Sequence, residues 1–123
     1  VPHLDVSVPY PGAIISINHY KDQRSHGHHT RVEATRWMNN LALMARAEAN
    51  RLGIEVKPPL IIRLSGWFKD WRSVPDLHNL HKVIGDALQQ AFFVNDQLFR
   101  FEDGEIAVGT HDPMLRIEVE ILR

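Results

Sequence analysis

Pro75-Asp76-Leu77-His78-Asn79-Leu80-His81-Lys82-Val83-Ile84-Gly85-Asp86-Ala87-Leu88-Gln89-Gln90-Ala91 is the stretch on which the fold turns. Proline is tolerated in a helix's first turn and aspartate accepts from exposed backbone N–H groups, so Pro75-Asp76 predicts a helix start. At about 100° per residue, Leu77, Leu80, Ile84, Ala87, Leu88 and Ala91 fall on one stripe. Asn79, Lys82 and Asp86 fall on a separate polar side, with Asp76 at the entrance.

Working outward, Leu60-Ile61-Ile62-Arg63-Leu64 follows the turn Pro58-Pro59 and predicts a strand continuing toward Trp67 and Phe68. Upstream, Val32, Trp37, Leu41, Met44, Ala45 and Leu52 recur at helical intervals, and Thr30 with Glu33 has the spacing of a capping box. A helix over about 31–52 follows, closed by Gly53. Val6–Val8 and Ala13–Ile17 read as one or two short strands broken by Pro9, Pro11 and Gly12. On the C-terminal side, Leu98–Val108 and Leu115–Leu122 read as strands joined by a turn through Gly109–Pro113. Ile117, Val119 and Ile121 alternate with Glu118 and Glu120, which puts one face in a core and the other near solvent. The expectation is an α/β (α+β) fold, a mixed sheet packed on two main helices in the order β-α-β-α-β-β.

At 123 residues the chain is expected to be one domain, 1–123, able to bury roughly two-thirds of its unfolded surface. No run approaches the roughly 20 apolar residues of a membrane span, and the start Val1-Pro2-His3-Leu4-Asp5 has no signal-peptide pattern, so the expected location is the cytoplasm. Cysteine is absent, which excludes disulfides and thiolate metal sites. The formal net charge of −1 means that any nucleic-acid affinity must come from a local basic face.

The chemistry-bearing residues gather around the opening stretch. Asp76, His78, Asn79 and Lys82 stand on less than three helical turns, and Asp96 follows the helix. Hydrolysis of a phosphodiester needs a polarised phosphate, an activated water and a stabilised leaving oxygen, which divalent cations held by carboxylates supply. Each residue also has an ordinary reading. Asp76 is a natural helix cap. Lys82 and Asp86, four apart, make a surface ion pair worth about 0.3–0.5 kcal/mol, the role assigned here to Asp86. Asn95-Asp96 is a turn pair. His26, His28 and His29 lie in a polar segment, His19–Thr30, read as an exposed loop that lacks the four-ligand frame of a zinc site. Trp67, Phe68 and Trp71, interleaved with Lys69 and Arg72, suit either base stacking beside phosphate contacts or a core or interface, the latter preferred for Trp67.

The run Asp76-Leu77-His78-Asn79-Leu80-His81-Lys82, then Asp86-Ala87-Leu88, then Phe93-Val94-Asn95-Asp96-Gln97, resembles the signature of the RusA family of Holliday junction resolvases: Asp-x-Asp-Asn-x-x-Lys, Asp-Ala-Leu, and an Asp-Asp pair. Ser16-Ile17-Asn18-His19-Tyr20 is similar, more loosely, to that family's Ser-x-Asn-x-x-Tyr neighbourhood. The resemblance implies a homodimer that uses Mg²⁺ or Mn²⁺ to make paired nicks in branched DNA, with no membrane partner and no organic cofactor. It implies Asp76 and Asp96 as metal-binding carboxylates and Lys82 as a phosphate contact. Two positions depart from the family: His78 stands where its second aspartate is usual, and Asn95 where the first of two adjacent acids is common. His78 then serves as an imidazole ligand or a proton carrier. Imidazole suits softer metals than Mg²⁺, so a relative preference for Mn²⁺ is expected. Arg24, Arg31, Lys69 and Arg72, with Lys82, are the candidates for DNA-facing charge. Two alternatives stay open: a branched-DNA nuclease with a flap or fork preference, and a catalytically silent nucleic-acid-binding protein.

Overall fold

A computed structural model of the chain describes residues 2–16 and 27–122, with side chains in the second segment from residue 32 onward. The order is β1 (His3–Pro9), α1 (Gly27–Leu52), β2 (Leu60–Phe68), α2 (His81–Phe92), β3 (Phe99–Val108) and β4 (Met114–Ile121). Short 3₁₀ turns stand at Ala13–Ile15, Trp71–Ser73, Leu77–Leu80 and Asp96–Leu98. This is the expected α+β mixed sheet with two main helices. Among the described residues no helix is long and apolar enough to cross a membrane.

The sheet runs β1-β4-β2-β3, antiparallel except for the parallel pair β2 and β3. β3 and β4 are consecutive in sequence, yet β2 lies between them. Their connection closes over the end of β2, where the amides of Gly109 and Thr110 donate to the Phe68 carbonyl at 2.9 and 3.2 Å. β2 is central because its apolar run fills two ladders at once, whereas β1 is an edge that stops at Pro9, a residue with no N–H to donate.

Strand alternation sends Leu4, Val6, Val8, Leu60, Ile62, Leu64, Leu115, Ile117, Val119 and Ile121 to one face, all buried against the helices in one core. Each fully buried Leu or Ile contributes roughly 1.5–3 kcal/mol. The opposite face carries charge. Asp5 and Glu118 stand directly across from one another, and Arg116 reaches both, donating from Nε to Asp5 Oδ2 at 2.9 Å. The cation offsets what would otherwise be a destabilising like-charge pair. Arg63 and Glu102 bridge β2 to β3 at 2.8 Å.

Four expectations are corrected. Ala13–Ile15 is a 3₁₀ turn rather than a strand, because Gly12, at φ 99°, swings the chain out of the sheet and lets Ile15 drop into the core. α1 begins at Gly27, so Thr30 lies inside it and does not mark its start, and residues 27–30 are helix rather than loop. Its buried stripe is Ala34, Trp37, Leu41, Ala42, Ala45 and Ala49, while Val32 and Leu52 are exposed. Alanines let α1 come close to α2, and Arg46 of α1 donates to the Ala91 and Gln90 carbonyls at the end of α2. Finally, the helix expected from Asp76 starts as a 3₁₀ turn over Leu77–Leu80 and becomes α-helical at His81. Three residues per turn eclipse Leu77 and Leu80 and bury both. Gly53 closes α1 at φ 67°, as expected.

Candidate active site

Asp76 is the cap of the 3₁₀ turn, its Oδ1 accepting the His78 N–H at 3.1 Å. The cap ties the chain down just before His78 and Lys82. At the other end of α2, Phe93 takes the left-handed conformation and the chain turns back, so that Asn95 Oδ1 caps a second 3₁₀ turn through the Gln97 N–H at 2.9 Å. That turn begins with Asp96. The loop therefore returns Asp96 to the start of the helix it follows, the fold-back that the sequence permits.

His78, Lys82 and Asp96 line one cleft of about 240 Å³, with His81, Gly85 and Phe101. Lys82 Nζ is 3.2 Å from Asp86 Oδ1 and 4.0 Å from Asp96 Oδ2. The expected Lys82–Asp86 pair is present, and the same ammonium also faces Asp96. Lys82 sits in the first turn of α2, where the helix dipole disfavours a cation, and Asp86 one turn on and Asp96 across the cleft offset its charge. Asp76 is not among the lining residues; it joins the cleft only through its bond to the His78 N–H.

One cleft residue, His81, and its partner Asp103 escape the sequence reading. His81 Nε2 is 3.2 Å from Asp103 Oδ1, and its ring stacks on Phe101 at 4.5 Å and meets His78 edge-on at 5.1 Å. Asp103 meets His81 because strand alternation puts it on the same side of β3 as Phe101, and the strand bulges just beyond it. Leu64 pairs with Asp103 but Gly66 pairs with Ile106, leaving Gly104 and Glu105 opposite Ser65 alone. Ser65 Oγ accepts the Glu105 N–H at 3.1 Å. The readable signal was a glycine inside a strand pattern, a mark of a bulge.

Lys69 and Arg72 are exposed between the end of β2 and Asp76, with Trp71 beside them 68% exposed. Asp70 fastens this turn, accepting from the Ser73 hydroxyl at 2.7 Å and its N–H at 2.9 Å. Those bonds, the hydroxyl's first, hold its carboxyl below the usual carboxylate range. Phe68 is fully buried, while Trp67 is 38% exposed on the charged face of the sheet. The residues Ile17 to His26, Arg24 among them, and the side chains of His28, His29 and Arg31 lie outside the described residues.

A family model described as endodeoxyribonuclease RusA matches residues 16–121. The chain belongs to the RusA family. Of the two segments that carry the resemblance, His78 and Lys82 from the first and Asp96 from the second line a single cleft. RusA proteins are endodeoxyribonucleases, hydrolases that act on branched DNA junctions, and are generally divalent-metal dependent. A search among proteins of curated function finds no match.

Among the described residues no three His, Asp or Glu side chains stand close enough to form a ready metal cage. The donor set of Asp76, His78 and Asp96, two carboxylates and an imidazole open to solvent, nevertheless fits one kind of ion. A divalent cation that keeps several waters and shares its remaining ligands with a phosphate needs only one or two protein carboxylates.

Proposed function

We propose that this RusA chain is a divalent-metal-dependent endonuclease that resolves four-way DNA junctions by paired nicks, with residues 1–123 as one catalytic domain working as a two-fold homodimer. The observation that carries the reading is the shared cleft, in which Lys82 Nζ stands 4.0 Å from Asp96 Oδ2 across a loop return of the chain. A lysine at a helix start suits an anionic substrate: helix dipole and ammonium attract the same phosphate.

In this reading Asp76, His78 and Asp96 hold Mg²⁺ or Mn²⁺. A divalent cation held there would supply polarisation of the scissile phosphate and activation of the attacking water. Lys82 contacts a non-bridging phosphate oxygen and offsets the charge that develops there as water attacks phosphorus and the leaving oxygen departs. Asp86, 3.2 Å from Lys82 Nζ, keeps the ammonium oriented when Asp96 turns to the metal. Lys69 and Arg72 hold flanking phosphates, together with Arg24 and Arg31. A four-way junction offers two equivalent strands, which a two-fold pair of sites can address together.

The test is cleavage of a labelled four-way junction, a flap and a linear duplex by the purified protein with Mg²⁺, Mn²⁺ or EDTA. Symmetric nicks confined to the junction, lost in EDTA and stronger with Mn²⁺ than Mg²⁺, are expected. A flap preference would replace the resolvase reading with that of another branched-DNA nuclease. Binding with no cleavage under any metal would leave a silent binding protein.

A further inference from the structure

Phe93 ends α2 with φ 55° and ψ 45°, its N–H donating to the Gln89 carbonyl at 2.8 Å. This left-handed post after a helix ordinarily goes to glycine, or to asparagine. A phenylalanine there carries backbone strain, and its ring gains no burial in return, being 85% exposed. One face of the ring is braced instead: the Arg46 guanidinium stands over it, 5.1 Å from the centroid, itself held by the Ala91 and Gln90 carbonyls. The result is an exposed aromatic plate backed by a cation. Its position relative to the cleft is bounded by the chain, since three residues separate Phe93 from Asp96 and span at most about 10 Å. That distance is roughly three nucleotide steps along one strand.

We infer that Phe93 is a specificity residue: its open face stacks on an unpaired or splayed base at the branch point, while Arg46 attracts the neighbouring backbone. The inference rests on the branched-DNA reading above. Every base offers a π-face and a base inside an intact duplex does not, so a single exposed ring favours branched over linear DNA without reading sequence. The strained backbone fits this account, because strain retained in a fold concentrates at functional positions.

The experiment compares wild type, Phe93→Gly and Phe93→Trp as the full chain. It measures Kd for a four-way junction and for a linear duplex in EDTA, with Tm and light-scattering mass alongside. Phe93→Gly relieves the strained backbone, so its Tm is expected at or above that of wild type. Its junction affinity should fall by about tenfold or more while duplex affinity stays within about twofold, and Phe93→Trp should restore the junction. Unchanged junction binding by Phe93→Gly, or an equal loss on both DNAs, overturns the inference. So does a change of oligomeric mass, which would make the ring a contact between copies of the chain. A wild-type protein that does not prefer the junction overturns the branched-DNA reading as well, whereas a preference that survives Phe93→Gly overturns this inference alone.

Discussion

Asp70 and Asp76 hold similar posts six residues apart, each capping a 3₁₀ turn through Oδ1. They differ in what else binds them. Asp70 accepts from both the hydroxyl and the amide of Ser73, and its carboxyl is held below the usual range. A depressed folded-state value means that the stabilisation is present at pH values above the unfolded carboxylate range and is lost as pH falls through the folded value. Replacing Ser73 by alanine should raise the Asp70 titration midpoint, followed by carboxyl-carbon NMR; an unmoved midpoint would remove the hydroxyl as the cause. Asp76 caps through a single bond at 3.1 Å, so capping and metal binding are compatible in one side chain. At this scale the motif residues were legible, because Asp76, Lys82 and Asp96 are fixed by their order along the chain. His81 and Asp103 were not, because their pairing depends on where a strand from a different segment lies.

Among the elements, α2 and β4 could be read almost completely. Leu77, Leu80, Ile84, Ala87, Leu88 and Ala91 are all buried, and β4 alternates as Ile117, Val119 and Ile121 require. Local periodicity carries that information. It is weaker for α1, where Trp37, Leu41 and Ala45 are buried as expected but Ala34, Ala42 and Ala49, which complete the stripe, are faint in hydropathy, and it misses the bulge in β3, which is a relation between two strands. The bulge is the more consequential omission, since it lies immediately after Asp103. Its glycine is sterically required: a Cβ on Gly104 would stand 2.2 Å from Ser65 Oγ and 3.3 Å from the Leu64 carbonyl oxygen. Gly104→Ala should therefore cost about 1–3 kcal/mol in urea denaturation. A variant as stable as wild type would mean that the bulge relaxes freely to admit the methyl group.

For the molecule as a whole, the sequence order β-α-β-α-β-β was readable but the spatial order β1-β4-β2-β3 was not. Adjacent segments such as β3 and β4 look like a hairpin, and only the competition of whole strands for the centre places β2 between them. That placement sets the site. β3 lies parallel to β2 at the sheet edge, which brings Phe101 and Asp103 against His81 at the start of α2, while the loop after α2 brings Asp96 to Lys82. One framework thus gathers a helix start, a loop and a strand around Lys82. The central claim is that this cleft is where DNA is cut. It is tested most directly by Lys82→Met and Asp96→Asn, assayed for junction cleavage and junction binding at equal protein. Cleavage lowered at least about 100-fold, with Tm unchanged and junction affinity within about threefold, is the predicted result. Cleavage at the wild-type rate by either variant would place the nuclease centre elsewhere on the molecule.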